Sequence, residues 1–213
     1  MVIRQEHINL ALGDDVWSFG NNVLYNLCRD YPGHKEPDVV IAKVWLIGRS
    51  YAAAVERRKS NTKSWEIANE AFYEKKVAPA LISSDIDGCI KHLQQFKRVD
   101  RKNVSMILET HKHLVDVLSK ITGQNKRSLA SKYLHFHLPN LFYLYDNRAA
   151  NGFRKLKPRY RPGWMPEGAF DSTYSNFSLK LLHLQEEIAR DFRQQLTPRQ
   201  IDRMLLKVAS QKT

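Results

Sequence analysis

The sequence predicts an all-α protein, and three observations carry that prediction. Apolar residues recur at three- and four-residue spacing in one segment after another. Alternating strand patterns and Asn-Gly hairpin signals are missing between those segments, apart from a short extended candidate at 141–145. Helix start and stop residues fall at segment ends, such as Gly123 and the pair Thr197-Pro198.

In chain order, the pattern places helices at 14–29, 39–55, 63–78 and 85–96. Segment 39–55, VVIAKVWLIGRSYAAAV, is apolar nearly all round and predicts a central, buried helix. In 104–121, Val104, Ile107, Leu108, Leu114, Val115, Leu118 and Ile121 form a single face, closed by Gly123. After the turn Thr122-Gly123-Gln124-Asn125 a helix runs from Lys126 to Phe136. Gly123 and Asn125 are the residue types that tolerate positive φ there. Residues 151–176, rich in proline, glycine and aromatics, predict a long irregular stretch. Segment 179–196 restores the stripe with Leu182, Leu184, Ile188 and Phe192. Thr197 then caps a last helix over 198–209, with Pro198 in its first turn.

Composition narrows function. The 213 residues suit one domain, with 43 % hydrophobic and 26 % charged side chains, which excludes a disordered or fibrous chain. No apolar run is long enough for a membrane span. The first ten residues, MVIRQEHINL, lack an apolar h-region, which argues against a secretory signal. Cys28 and Cys89 form neither a metal-spaced pair nor a disulfide framework, so a reducing cytoplasm is expected.

Charge is the informative quantity. The formal net charge is +12, and the stretch from Gly88 to Met165, with 16 Lys/Arg against 4 Asp/Glu, accounts for all of it. A localised cationic block is what a phosphate backbone requires, so the expected partner is nucleic acid, with no membrane and no obligate protein partner. A solubility charge would scatter its lysines. Arg154, Lys155, Lys157, Arg159 and Arg161 crowd 151–161 without an acid among them, with Tyr160 and Trp164 nearby. Cations that grip phosphates beside rings that stack on bases suit nucleic acid; the competing reading is a solvated loop.

The segment 118–148, LSKITGQNKRSLASKYLHFHLPNLFYLYDNR, carries the chemistry. A helix beginning at Lys126 would present first-turn N–H groups beside Lys126 and Arg127, a phosphate-binding arrangement. An ordinary helix–helix turn would look the same. Asp146 is the only acid between Asp116 and Glu167 and sits in an aromatic run. It would serve equally as the cap of a helix starting near Asn147, or as the partner of Arg148 or Lys132.

Ile121-Thr122-Gly123-Gln124-Asn125-Lys126-Arg127 resembles the hairpin of the helix-hairpin-helix DNA glycosylases, the superfamily of the 8-oxoguanine DNA glycosylases. That hairpin reads Leu-Pro-Gly-Val-Gly-x-Lys and is followed by a catalytic Asp about twenty residues on; Asp146 lies nineteen residues after Arg127. Ser131–Phe136 with Tyr145-Asp146, and the stretch 45–58, are similar to bacterial proteins of the 8-oxoguanine glycosylase fold, some of them encoded among antiviral defence genes. The resemblance implies a single glycosylase-like domain over 1–213, with 1–100 and 101–213 as lobes about a cleft for double-stranded DNA. It implies hydrolysis of an N-glycosidic bond, a phosphate grip through Gly123, Asn125, Lys126, Arg127, Arg148 and the basic loop, and catalysis by Asp146 with Lys132 as its partner or tuner. A base pocket would draw on Trp45, Arg49 and Tyr51, for which core packing is the plain alternative. Glu56, two turns beyond Arg49, is a candidate partner for it.

Two departures matter. Asn125 stands for the second hairpin glycine. Arg127 stands where the family carries its Schiff-base lysine, and a guanidinium that stays protonated is no amine nucleophile. The implied enzyme is therefore monofunctional, with water as nucleophile, no metal and no cofactor. The pairs His111/His113 and His135/His137 point roughly 200° apart on a helix and do not chelate. A non-catalytic helical DNA- or RNA-binding module is the alternative from another class, and a subunit that binds an acidic protein is a third.

Overall fold

The computed structural model describes residues 3–56, 70–156 and 164–211, and among them there is no strand. The helices are α1 (Gln5–Leu12), α2 (Ser18–Asp30), α3 (Pro37–Ser50), α4 (Glu70–Phe72), a π turn (Tyr73–Val77), α5 (Ala78–Ile82), α6 (Ile86–Leu93), α7 (Val104–Thr122), α8 (Arg127–His137), α9 (Asn147–Leu156), α10 (Ser172–Phe192) and α11 (Pro198–Ser210). The all-α expectation holds.

Several expectations need correction. The helix expected at 14–29 is preceded by the separate α1, whose eight residues bury only His7, Ile8 and Ala11 and are too few to show a helical period. The helix expected over 39–55 ends at Ser50, and it is not buried all round: Trp45 is half-exposed on it. The central helix is α8, buried continuously from Leu129 to Phe136 and packed by α2, α3 and α7. Of the irregular stretch expected at 151–176, residues 151–156 belong to α9 and 172–176 to α10, 164–171 are irregular, and 157–163 lie outside the described residues. Of the helix expected at 63–78, residues 63–69 lie outside the described residues.

Local chemistry explains the ends. Gly123 closes α7 at φ +66, and its N–H donates to Ser119 O (2.8 Å). Asn125 does not adopt positive φ. Asp171 caps α10 by accepting from Tyr174 N (2.8 Å). Thr197 and Gln200 form a reciprocal capping box at α11.

The candidate 141–145 is a non-helical run whose residues Leu141 to Leu144 are buried. With no neighbouring strand, its backbone groups pair with side chains. His135 Nδ1 donates to Phe142 O (2.8 Å), Tyr174 Oη donates to Tyr143 O (3.0 Å), and Tyr145 N donates to Ser131 Oγ (3.0 Å). Buried backbone groups must find partners, and these fix where the run delivers Asp146.

α9 crosses α11 at backbone contact: a Cβ on Gly152 would lie 2.1 Å from Leu205 O. Gly152→Ala is expected to cost at least about 2 kcal/mol, because the clash is with backbone and cannot be relieved by a rotamer change. Chemical denaturation of the purified variant checks this.

Three buried histidines and a half-buried one set the acid limit. Burial pushes His111 down to about 4, and His34, His135 and His137 are lowered by the same cause. Each is neutral in the fold, so stability is full above the unfolded value near 6.5 and is lost as pH falls below it. His111 alone accounts for about 3 kcal/mol between pH 6.5 and 4. Asp202, raised by burial to about 6, opposes this by losing stability as pH rises from 3.8 to 6. One carboxyl works against four imidazoles, so the urea midpoint is expected to fall from pH 7 to pH 4; a flat profile would contradict buried neutral histidines.

Candidate active site

Asp146 sits at the exit of the anchored run and at the entry of α9. Its Oδ1 accepts from Ala149 N (2.8 Å), capping α9, while its Oδ2 accepts from Lys132 Nζ (3.1 Å). Lys132, on α8, is 2 % exposed and also donates to Ser128 Oγ (3.0 Å) and Tyr51 O (3.4 Å). The Asp146 side chain is 32 % exposed. Burial raises its carboxyl, but the Lys132 charge and the Ala149 N–H outweigh burial and hold it below the usual value. Capping and ion pairing, the plain readings of Asp146, are both present, and neither takes the residue out of the site.

Asp146 lines a cavity of about 1110 Å³. Tyr51 and Ala52 form one wall, Val16, Trp17, Asn21 and Leu24 another, and Arg199, Asp202, Arg203 and Leu206 of α11 a third. Asp202 is buried, and its Oδ2 accepts from Arg199 Nη1 (3.4 Å). The Arg199 guanidinium lies over the rings of Tyr51, Phe136 and Tyr25, 5.3, 5.6 and 6.0 Å from their centroids. A polar chain fixes it. His135 gives its Nδ1 hydrogen to Phe142 O, so its Nε2 accepts from Tyr25 Oη (2.7 Å), and Tyr25 Oη accepts from Arg199 Nε (3.1 Å). Tyr51 Oη donates to Asn21 Oδ1.

Two carboxyls thus share one cavity in opposite settings. Asp146 is held ionised beside a lysine; Asp202, pushed up by burial against the lowering influence of Arg199, retains a proton to about 6. Such a contrast is what acid–base chemistry at one site uses.

The other expected residues fall in different places. Arg148 is exposed and lines both the cavity and an adjoining groove of about 450 Å³, shared with Arg154 and Lys155. Lys155 Nζ donates to Ala209 O (3.1 Å) and Gln211 O (2.6 Å), so it closes the end of α11 as well as facing that groove. Arg154 donates to Asn151. At the hairpin, Gly123 and Asn125 are exposed and Lys126 is the N-cap residue of α8. Arg127 makes an ion pair with Asp171 (Nη2–Oδ2 3.0 Å), and its carbonyl accepts from His111 Nε2 (3.1 Å). Its side chain therefore braces α8 against α10. Trp45 and Arg49 do not line the cavity; Arg49 pairs with Glu56, which also accepts from Tyr73 Oη (2.6 Å). Lys157, Arg159 and Arg161 lie outside the described residues.

The cationic block is more engaged than its composition conveys. Besides Arg127 and Lys132, Arg101 pairs with Glu186 (2.7 Å) and Lys112 with Asp116 (2.6 Å). Sequence reasoning missed Arg199, Asp202 and Arg203. Their signal was available: three charged residues within five positions of a helix read only for its apolar stripe. Among the described residues no group of three His, Cys, Asp or Glu is placed to hold a metal, and no helix is long and apolar enough to cross a membrane. Comparison with protein-family models, with curated proteins and with solved structures gives no match.

Lys132→Met is expected to raise the Asp146 pKa by about one unit or more, since it removes the nearest opposite charge. Carboxyl carbon titration by NMR reads this directly. Because Asp146 keeps contact with water, the fold should survive the change.

Proposed function

We propose that this chain is a DNA glycosylase of the helix-hairpin-helix type, which admits an everted nucleotide to the cavity and hydrolyses its N-glycosidic bond. The observation that carries the proposal is the placement of Asp146: a carboxylate held ionised by a buried lysine, on the wall of a cavity large enough for a nucleoside. Breaking the glycosidic bond builds positive charge on the sugar. A fixed carboxylate stabilises that charge and orients the attacking water. Asp202, on the same cavity wall, is placed to exchange a proton with the departing base.

Tyr51 and Arg199 supply an aromatic and a cationic wall for the base, and Arg148, shared with the adjoining groove, is placed for a flanking phosphate. The α7–Gly123–α8 hairpin would grip the duplex through the backbone N–H groups that open α8. Arg127, already committed to Asp171, contributes to that grip by bracing. No lysine replaces it at that position, so a free abasic site is the expected product. The target is a damaged or modified base in double-stranded DNA, with cytoplasmic repair or antiviral defence as the setting that the resemblance offers.

Asp146→Asn tests the reading. Asparagine caps a helix as well as aspartate does, so the fold and DNA binding should persist. Release of base, scored as alkali-labile sites in lesion-bearing or phage-modified DNA, is expected to fall at least about a hundredfold. Full activity in the variant would remove Asp146 from the chemistry. The cap and the ion pair of Asp146 equally fit a non-catalytic nucleic-acid-binding module, which would show salt-dependent binding and no base release on any DNA.

A further inference from the structure

The groove that adjoins the cavity holds cations with no acid to match them. Its wall is Arg148, Asn151, Arg154 and Lys155 of α9 with Ala209 and Ser210 of α11, and no carboxylate stands among these described residues. Asn151 Oδ1 accepts from Arg154 Nη2 and holds that guanidinium. Arg148 has no such tie: its side chain makes no hydrogen bond and no ion pair among the described residues. It is exposed, so packing does not hold it either, and it stands in the first turn of α9, where the helix dipole disfavours a cation. The fold does not account for an arginine in this position, and an anion does.

The course of the groove says which anion. Arg148 and Ser210 line both the groove and the cavity, so the two spaces adjoin. From Arg148 the wall follows α9 to Lys155, about 10 Å further at the helical rise. There Lys155 Nζ donates to Ala209 O (3.1 Å) and Gln211 O (2.6 Å) and bridges α9 to α11. A strand that carries phosphates on both sides of a nucleotide needs an open way past it. A short groove bridged at its end suits the phosphates of a nucleotide that belongs to no strand.

We propose that the cavity and the groove together bind a free nucleotide, its base and sugar in the cavity and its phosphates along Arg148 and Arg154, in competition with DNA. A guanidinium offers paired donors that match phosphate oxygens. Because Arg148 is also the residue placed for a flanking phosphate of DNA, the two ligands meet the same cation. The inference rests on the cavity being a nucleoside site, and it does not require Asp146 to be catalytic.

The test uses the full chain, titrated calorimetrically with the four common deoxynucleosides, their 5′-monophosphates and their 5′-triphosphates, and with inorganic tripolyphosphate as the ring-free control. For at least one base, the monophosphate is expected to bind about tenfold or more tighter than its nucleoside. Arg148→Ala and Arg154→Ala should each remove about tenfold of the affinity for nucleotide and leave that for nucleoside unchanged. The same nucleotide should displace a fluorescent duplex, read by anisotropy. Both arginines are exposed, so misfolding is not expected, and circular dichroism checks it.

Nucleotide affinity untouched by both substitutions overturns the proposal. So does tripolyphosphate binding as tightly as every triphosphate, which would make the groove a site for bare phosphates, and so does nucleotide binding that leaves the duplex in place. Base release from DNA by a chain that binds no nucleotide would overturn the inference and leave the hydrolytic reading standing. Nucleotide binding that responds to both arginines, with no base release from any DNA, would have the reverse meaning.

Discussion

The contact between Lys132 and Asp146 is the constraint around which the rest of the site is arranged. A lysine that is 2 % exposed has to be matched, and it is matched by Asp146, Ser128 Oγ and the Tyr51 carbonyl. Those three groups come from the loop before α9, from α8 and from the end of α3. One buried ammonium therefore ties the loop before α9 to the packed pair α3 and α8. An amide at 146 would still accept from the ammonium, whereas an alanine would strand the lysine, which costs more than the pair contributes when intact.

The site is then completed from the far end of the described chain. α11 packs on α9 at a distance only glycine permits at 152, and this brings Arg199 and Asp202 to the cavity that Asp146 lines. A second set of polar contacts holds α11 in rotation: His135, neutral by burial, accepts from Tyr25, which accepts from Arg199. The tautomer of one histidine, set by the Phe142 carbonyl, is thus propagated to the orientation of a guanidinium.

Helix periodicity and capping residues made much of the fold legible. α7 with its Gly123 stop, α8, and α11 behind Thr197-Pro198 lie within a residue or two of their expected bounds. The centre of the fold was less legible. α3 is more apolar in sequence, yet α8 is the buried one, because its Lys132 and His135 are satisfied by partners remote in sequence. Pairing at long range leaves no local periodicity. For the same reason Arg127, read as a phosphate contact from its neighbours, turns out to be spent on Asp171, 44 residues away. Asp146 and Tyr51 could be singled out because a motif spacing pointed to them. Arg199 and Asp202 left only the cluster of charge over 199–203, and nothing in that cluster points to Asp146, which lies far earlier in the chain.

The cavity wall carries four acids, Asp14, Asp15, Asp146 and Asp202, and four cations, Arg148, Arg199, Arg203 and Lys207. In formal charge the hollow is neutral, inside a molecule of +12. Long-range attraction for an anion and admission to the hollow are thereby uncoupled: the charge excess lies outside a lining whose own formal charges balance. A guest of the hollow has to be favoured by shape, ring stacking and hydrogen bonding, so a change of lining that keeps its charge alters selectivity and leaves the outer field as it was.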